Sequence, residues 1–536
     1  MLYTRIRWTA LVAALALAPL AACNSDTEPG NPPDDGSYPP GPDGGSYPGA
    51  PPPGGIGATP GGVKDMRLAR ELVEQGRVPP PAAFLVEAMF AEHELGIAGE
   101  PCETLFCLQS AVAVAPDLDG TPSGWMQVGL SSSVDPAAFE RPSTTLILTV
   151  DVSGSMNWEY ADTEGSSGGS LARQVMLALT EELDERDRVA IVTFSDTAAT
   201  KLELTSGADR AAIQAVIQGL ASEGGTSIEA GVELAYELAR AAGAGTDETR
   251  VVLITDAQPN IGATDASQFE AMVESGAEAG VHMTVLGTAL GLGQELVTAM
   301  SHVRGANAFS FLEREDVDAF MADDWPWFLS PIAYDLSLAV AATPGVAIAG
   351  AYGFPAPDGA TEVGFDVSTI FLSRRKGALL LRVEPVADGA AGALAEGDID
   401  AGPVDAGPVD AGSPAFPAFA LAADLAYLTP ASERITDTLD AVYGGEPLDA
   451  RGHYYQQPGT AKTVALAVLV SGMRKAAELY ADDQAVAVAL MTAARDRFVA
   501  DAAAMADPAL DVEVAFTQAL LARMVEGAPQ GDLYPY

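Results

Sequence analysis

TTLILTVDVSGSM, residues 144–156, decides the fold. Its first seven residues are a continuous apolar and β-branched run, which suits a strand buried on both faces. That strand feeds without a spacer into Asp151-Val152-Ser153-Gly154-Ser155. Three further runs of the same kind follow, RVAIVTF (188–194), RVVLITD (250–256) and VHMTVLG (281–287). Between them Leu171, Val175, Leu179 and Leu183 recur at helical spacing, as do Ile228, Val232, Ala235 and Ala239. Alternating strands and helices imply right-handed crossovers and an α/β unit with a doubly wound, mostly parallel sheet over residues 143–322. In such sheets a site lies beyond the carboxyl ends of the strands.

Three polar clusters fall at that edge. They are the Asp151–Met156 loop, the turn Gly224-Gly225-Thr226-Ser227 before the helix that begins near Ile228, and Thr255-Asp256 at a strand end. Hydroxyls and carboxylates are hard oxygen donors that suit Mg²⁺, Mn²⁺ or Ca²⁺. In Asp-x-Ser-x-Ser, alternate side chains of a tight loop face one point, and Gly154 lets the backbone turn. If Ser153, Ser155 and Thr226 bind through hydroxyls while Asp151 and Asp256 act partly through water, the ion stays incompletely neutralised and seeks an outside carboxylate. Each piece has a plainer reading. Thr226 with Glu229 fits a capping box, Ser153 with Ser155 fits a helix cap, and Asp256 fits a strand-end turn.

The three clusters together resemble the metal-ion-dependent adhesion site of von Willebrand factor A domains, and the likeness covers residues 143–322. It implies direct ligation by Ser153, Ser155 and Thr226, with Asp151 and Asp256 direct or water-mediated; a non-catalytic binding module is the leading expectation. Two departures stand out: Ala257 follows the last aspartate where the family usually has glycine, and a long polar segment, Asn157–Gly169, precedes the first helix. A rival reading is a serine hydrolase, because Gly165-Ser166-Ser167-Gly168-Gly169 matches the G-x-S-x-G pattern, with His282 or His302 for company. Neither a P-loop nor a dinucleotide fingerprint follows the first strand, which argues against nucleotides.

Outside the central unit, ARELVEQGRVPPPAAFLVEAMF (69–90) reads as a helix ended by prolines and then a second helix. It resembles the N-terminal region of a bacterial subgroup of von Willebrand factor A proteins, often lipoproteins. CLQSAVAVAP and GWMQVGLSSS before the unit, and IAYDLSLAVAA, TEVGFDVSTIFL and GALLLRVEP after it, read as strands. Residues 64–142 and 323–385 are therefore expected to build a small β-sandwich into which the α/β unit is inserted. Trp325 and Trp327 are expected to pack the seam. Residues 386–414, with the DAGPV repeat, read as a disordered acidic linker, and 415–536 as mainly helical.

Acidic residues outnumber basic ones by 74 to 28, and a net charge of −46 repels phosphate backbones, so nucleic acid is not expected as a partner. Three cysteines and four histidines leave few soft ligands for zinc or iron–sulfur centres. Cys102 and Cys107 form a small disulfide if the chain reaches an oxidising compartment, two buried thiols being the alternative. Arg5 and Arg7 precede an apolar stretch, Trp8–Leu20, with the layout of a secretory signal over residues 1–22. Leu20-Ala21-Ala22-Cys23 resembles the lipobox of bacterial lipoproteins, which implies acylation of Cys23. Residues 23–63 then form a Pro/Gly-rich tether, reaching up to about 120 Å if extended at ~3.1 Å per residue. The expectation is a lipid-anchored envelope protein, at the outer membrane and facing periplasm or surface, whose cation grips a carboxylate of a protein partner. A structural envelope protein with an unused metal site is the other alternative.

Overall fold

The computed structural model describes residues 57–60 and 66–531, apart from 101, 136–137, 159–166, 244–245, 257–265, 289–302, 312–313, 324, 353–359, 374–377 and 387–415. The signal segment, Cys23, most of the tether, Ala257, His302 and the DAGPV repeat lie outside these residues. The chain opens with β1 (Gly57–Pro60), α1 (Arg67–Glu74), α2 (Val86–Ala91), β2 (Phe106–Pro116) and β3 (Pro122–Ser132). The α/β unit follows as β4 (Thr144–Asp151), α3 (Gly168–Glu182), β5 (Arg188–Phe194), β6 (Ala198–Ser206), α4 (Arg210–Gln218) and α5 (Ile228–Ala242). It continues through β7 (Glu248–Thr255), α6 (Ala266–Glu278), β8 (His282–Gly287), β9 (Asn307–Ser310), α7 (Arg314–Asp323) and α8 (Trp325–Phe328). After it come β10 (Pro331–Ala342), β11 (Val346–Tyr352), β12 (Glu362–Ser373), β13 (Leu379–Pro385), β14 (Phe419–Leu428), β15 (Arg434–Tyr443), β16 (Tyr454–Tyr455), α9 (Pro458–Tyr480), α10 (Gln484–Met505) and α11 (Asp511–Glu526).

In the central sheet the order is β6-β5-β4-β7-β8-β9, parallel throughout except for the edge strand β6. Every residue of β4 is buried, and alternation divides its side chains between the faces. Ile147 joins Val192, Val251, Val285 and the inner sides of α5 and α6. Leu146, Leu148 and Val150 join α3, α4 and α7 through Val175, Leu179, Ile213 and Phe320. The sheet is thus doubly wound, as expected.

The second, ten-stranded sheet curls on itself, in the order β11-β13-β3-β1-β12-β10-β14-β15, with β2 on the free side of β3 and β16 beyond it. One core lies inside the curl, where Val112, Met126, Val128 and Leu381 meet Leu338, Val340, Phe365, Leu421 and Leu425. This is the expected sandwich, built from chain on both sides of the insertion. Two boundaries move. The region expected to be mainly helical from 415 opens on β14 and β15, which pair with each other over ten positions and extend the sandwich; the helices begin at Pro458. Gly57–Pro60, expected within the tether, pairs antiparallel with β12, an interaction of backbone that a Pro/Gly-rich composition conceals. On the outer face of β2 and β3, Ala113, Ala115 and Trp125 are covered by α1, α2 and α9–α11, which share one core. That packing explains the apolar run of α9, and no described helix is long and apolar enough to cross a membrane.

Both bodies meet at the amino ends of the central strands. The fully buried Arg250 donates to Glu248 Oε1 (2.9 Å), Thr284 Oγ1 (3.0 Å) and the Gly305 carbonyl (3.0 Å), and its guanidinium lies 5.7 Å from the ring centre of Phe371 in β12. The Gly305 amide donates to Thr369 Oγ1 of β12 at 2.7 Å. At the same end Arg141 grips the buried Asp187 (2.8 and 2.5 Å) and lies 5.8 Å from the ring centre of Trp325. Trp325 belongs to the core of the α/β unit and Trp327 to that of the sandwich, so the two tryptophans pack the seam.

Candidate functional site

At the opposite, carboxyl end of the sheet, β4 passes directly from its last buried residue, Asp151, into a tight turn. The Ser153 amide donates to Asp151 Oδ1 at 2.8 Å, and residues Gly154–Asn157 form one 3-10 turn. The two serine hydroxyls stand 3.1 Å apart, and Ser155 Oγ donates to Asp256 Oδ1 at 3.0 Å. Ser153, Ser155 and Asp256 are therefore linked side chain to side chain, and Asp151 joins them through the Ser153 amide.

Thr226 arrives with its loop. Gly154 N–H donates to the Gly224 carbonyl (3.0 Å) and Glu223 N–H to the Val152 carbonyl (2.7 Å), which ties the two turns together. The first helix expected after the loop begins at Gly168 and is capped by Ser167, whose hydroxyl accepts from the Ser170 amide at 3.3 Å. Ser153 precedes the 3-10 turn, and Ser227, not Thr226, is the N-cap of α5. Neither Ser153 nor Ser227, the residues at these two N-cap positions, makes a side-chain cap hydrogen bond.

Two contributors were not anticipated. Thr255 Oγ1 donates to Asp151 Oδ2 at 2.7 Å, so the residue before Asp256 fixes the carboxylate that β4 delivers. In sequence it stands in the strand-end cluster with Asp256, with no role assigned to it. Asp196, just beyond β5, accepts the Gly225 amide at 3.1 Å. Small residues make the close approaches here: a Cβ on Gly168 would sit 3.1 Å from both Met156 Sδ and Thr288 Oγ1, and 3.2 Å from the Asp256 Cβ.

Burial, foremost, pushes the Asp151 carboxyl above its ordinary value; hydrogen bonds from Thr255 and Ser153 pull the other way, and the charge of Asp256 adds to the push. Hydroxyls, an amide and a second carboxylate surround this acid, which is a chemistry fitted to a hard divalent ion. Among the described residues no cluster of three or more His, Cys, Asp or Glu side chains is arranged to hold a metal. Trp158 stands at the rim, 67% exposed, with its amide bonded to the Ser155 carbonyl at 2.8 Å. Asp196 and Glu223 are exposed nearby. Cys102 and Cys107 are joined in a disulfide, far along the chain from this edge.

A sequence profile of the von Willebrand factor type A domain matches residues 146–258. The uncharacterised protein YfbK of Escherichia coli strain K12 is 30% identical over 232 residues, which is 41% of this chain and 37% of that protein. The uncharacterised protein sll0103 of a Synechocystis species is 29% identical over 147 residues, 27% of this chain and 33% of that one. The chain thus spans about a third of the length of these curated relatives. Among solved structures, a von Willebrand factor type A protein from Catenulispora acidiphila aligns with a TM-score of 0.43 at 12% identity, over 79% of this chain and 91% of that one.

Proposed function

Given that residues 146–258 of this chain match the von Willebrand factor type A domain, a likeness that supports a general role in protein interaction or adhesion, we propose that it is a non-catalytic envelope lipoprotein that grips a protein partner through a divalent cation. The observation that carries this reading is the chain of contacts from Ser153 to Ser155 to Asp256 beside a buried acid, Asp151, at the carboxyl edge of the sheet. Ser153, Ser155 and Thr226 would hold Mg²⁺, or Mn²⁺ or Ca²⁺, through hydroxyls, with Asp151 and Asp256 bound directly or through water. When bound, the ion supplies a positive point to which a partner's carboxylate is drawn. Trp158 supports a protein as the occupant, because an exposed tryptophan beside a charged anchor is the usual make-up of an interface hot spot. The acidic rim of Asp196 and Glu223 favours a partner whose carboxylate sits in basic surroundings.

Two further features support the non-catalytic reading. Ser167 spends its hydroxyl on capping α3, and His282 stands at the amino end of β8, beside Glu248 at 2.8 Å, where the sandwich docks. The lipobox-like Cys23 and the Cys102–Cys107 disulfide support an anchored protein in an oxidising compartment. Calorimetric Mg²⁺ titration, paired with capture from envelope extract in Mg²⁺ and in EDTA, tests the proposal. Wild type should bind Mg²⁺ and retain a partner only with the ion present. Asp151→Ala should lose both while keeping its circular dichroism. Partner capture that survives EDTA would sink the cation-dependent grip.

A further inference from the structure

We infer that Asp196 is the positioning residue of the Thr226 loop, the group that holds the threonine hydroxyl in register with Ser153 and Ser155. This deepens the cation-site reading above and rests on it. Four hydrogen bonds pin residues 223–227. Glu223 N–H reaches the Val152 carbonyl (2.7 Å), Gly154 N–H reaches the Gly224 carbonyl (3.0 Å) and Ser227 N–H reaches the Ser195 carbonyl (2.7 Å). Those three are backbone to backbone. The fourth, from Gly225 N–H to Asp196 Oδ1 at 3.1 Å, is the one made by a side chain, and it falls on the residue next to Thr226.

The sequence of the loop answers to this carboxylate. A Cβ on Gly224 would lie 2.7 Å from Asp196 Oδ2, and one on Gly225 would lie 2.6 Å from Asp196 Oδ1. Gly224 also has a φ of +86°, which only glycine adopts without strain, whereas no such backbone demand falls on Gly225. Gly225 is therefore glycine because the Asp196 side chain occupies the space a methyl would take. The aspartate and the glycine pair form a single unit. With both neighbours of Thr226 fixed, through Asp196 on one side and Ser195 on the other, its position follows that of the corner after β5.

Outer groups that orient metal ligands typically change affinity by about 10–100-fold when removed. The full chain, checked for folding by circular dichroism, is titrated with Mg²⁺ by calorimetry as wild type, Asp196→Ala, Asp196→Asn, Gly225→Ala and the Asp196→Ala/Gly225→Ala double variant. Asp196→Ala is expected to weaken Mg²⁺ by at least tenfold. Asp196→Asn keeps the acceptor and the shape and should stay within about threefold of wild type. Gly225→Ala should weaken binding by displacing the carboxylate, and in the double variant it should add little to the loss caused by Asp196→Ala, since the clash is gone. Asp196→Ala binding as tightly as wild type overturns the inference alone. Asp196→Asn as weak as Asp196→Ala would assign the effect to charge and overturn it too. A folded wild type that binds no Mg²⁺ overturns the cation reading and this inference together.

Discussion

Replacing Arg250 with methionine should unfasten the central unit at its base. The side chain is wholly buried, and methionine fills much of the space of its stem while removing the guanidinium. What remains is the buried Glu248 carboxylate with His282 as its partner at 2.8 Å, together with the Gly305 carbonyl and Thr284 hydroxyl without the donor they share. Breaking a buried ion pair from one side costs about 3–5 kcal/mol. For a unit of this size that corresponds to a fall in Tm on the order of 6–20 °C. Burial works to raise the Glu248 carboxyl, but Arg250 foremost and then His282 outweigh it and hold it below the usual glutamate value. Its contribution in wild type is thus present above the unfolded value of about 4.3 and is lost only as pH falls through the lower folded value. Between pH 7.5 and pH 5 the wild-type contribution is constant. In the variant, protonation relieves a buried charge that has lost its guanidinium, so the deficit should shrink over that range. Urea unfolding at both pH values measures it. A deficit below about 1 kcal/mol, or one that does not change with pH, would refute the view that this network fastens the unit.

Asp187 should make the other end of the seam sensitive to acid. Burial opposes ionisation, yet Arg141 and the amides of Asp184 and Thr144 hold its carboxyl below the ordinary value, so its stabilisation disappears as pH drops through that lowered value. Arg141→Gln should move the acid-unfolding midpoint, followed by tryptophan fluorescence, to higher pH; an unmoved midpoint would contradict this. Trp158→Ala should weaken capture of the partner by at least tenfold, about 1.4 kcal/mol, while Mg²⁺ affinity stays at the wild-type level. Equal losses in both titrations would mean that the tryptophan supports the loop instead of the partner. Cutting the Cys102–Cys107 link by double substitution to alanine should cost about 2 kcal/mol, as expected for a short closed loop, with no change in Mg²⁺ affinity.

Much of the α/β unit is legible in the sequence because its strands are buried on both faces and so carry unbroken apolar runs, as β4 and β7 do. The strands of the sandwich that follow the acidic repeat are harder. FALAADLAYL in β14 is mostly alanine and leucine, good helix formers, and it is a strand because it pairs with β10 and β15 and packs Leu421 and Leu425 into the core shared with Val112 and Met126. RITDTLDAVY in β15 does alternate, but half-buried and with charges on both faces. At the site, Asp151, Ser153 and Ser155 announce themselves through their spacing. Thr255 and Asp196 do not, because each acts through one hydrogen bond to a partner roughly thirty or a hundred residues away. The start of α3 was hidden by Gly168 and Gly169, poor helix formers held there by close neighbours such as Met156.

The chain enters and leaves the central unit at one end of its strands, where Arg141 meets Trp325 and Arg250 meets Phe371, while the serine turn lies at the other. Tension applied at that rim and resisted at that base runs lengthwise through β4, β7 and β8. Neighbouring parallel strands then slide against one another, and the hydrogen bonds between them share the load at once instead of opening in succession like a zip. A pull taken at the rim would thus load the central sheet in shear.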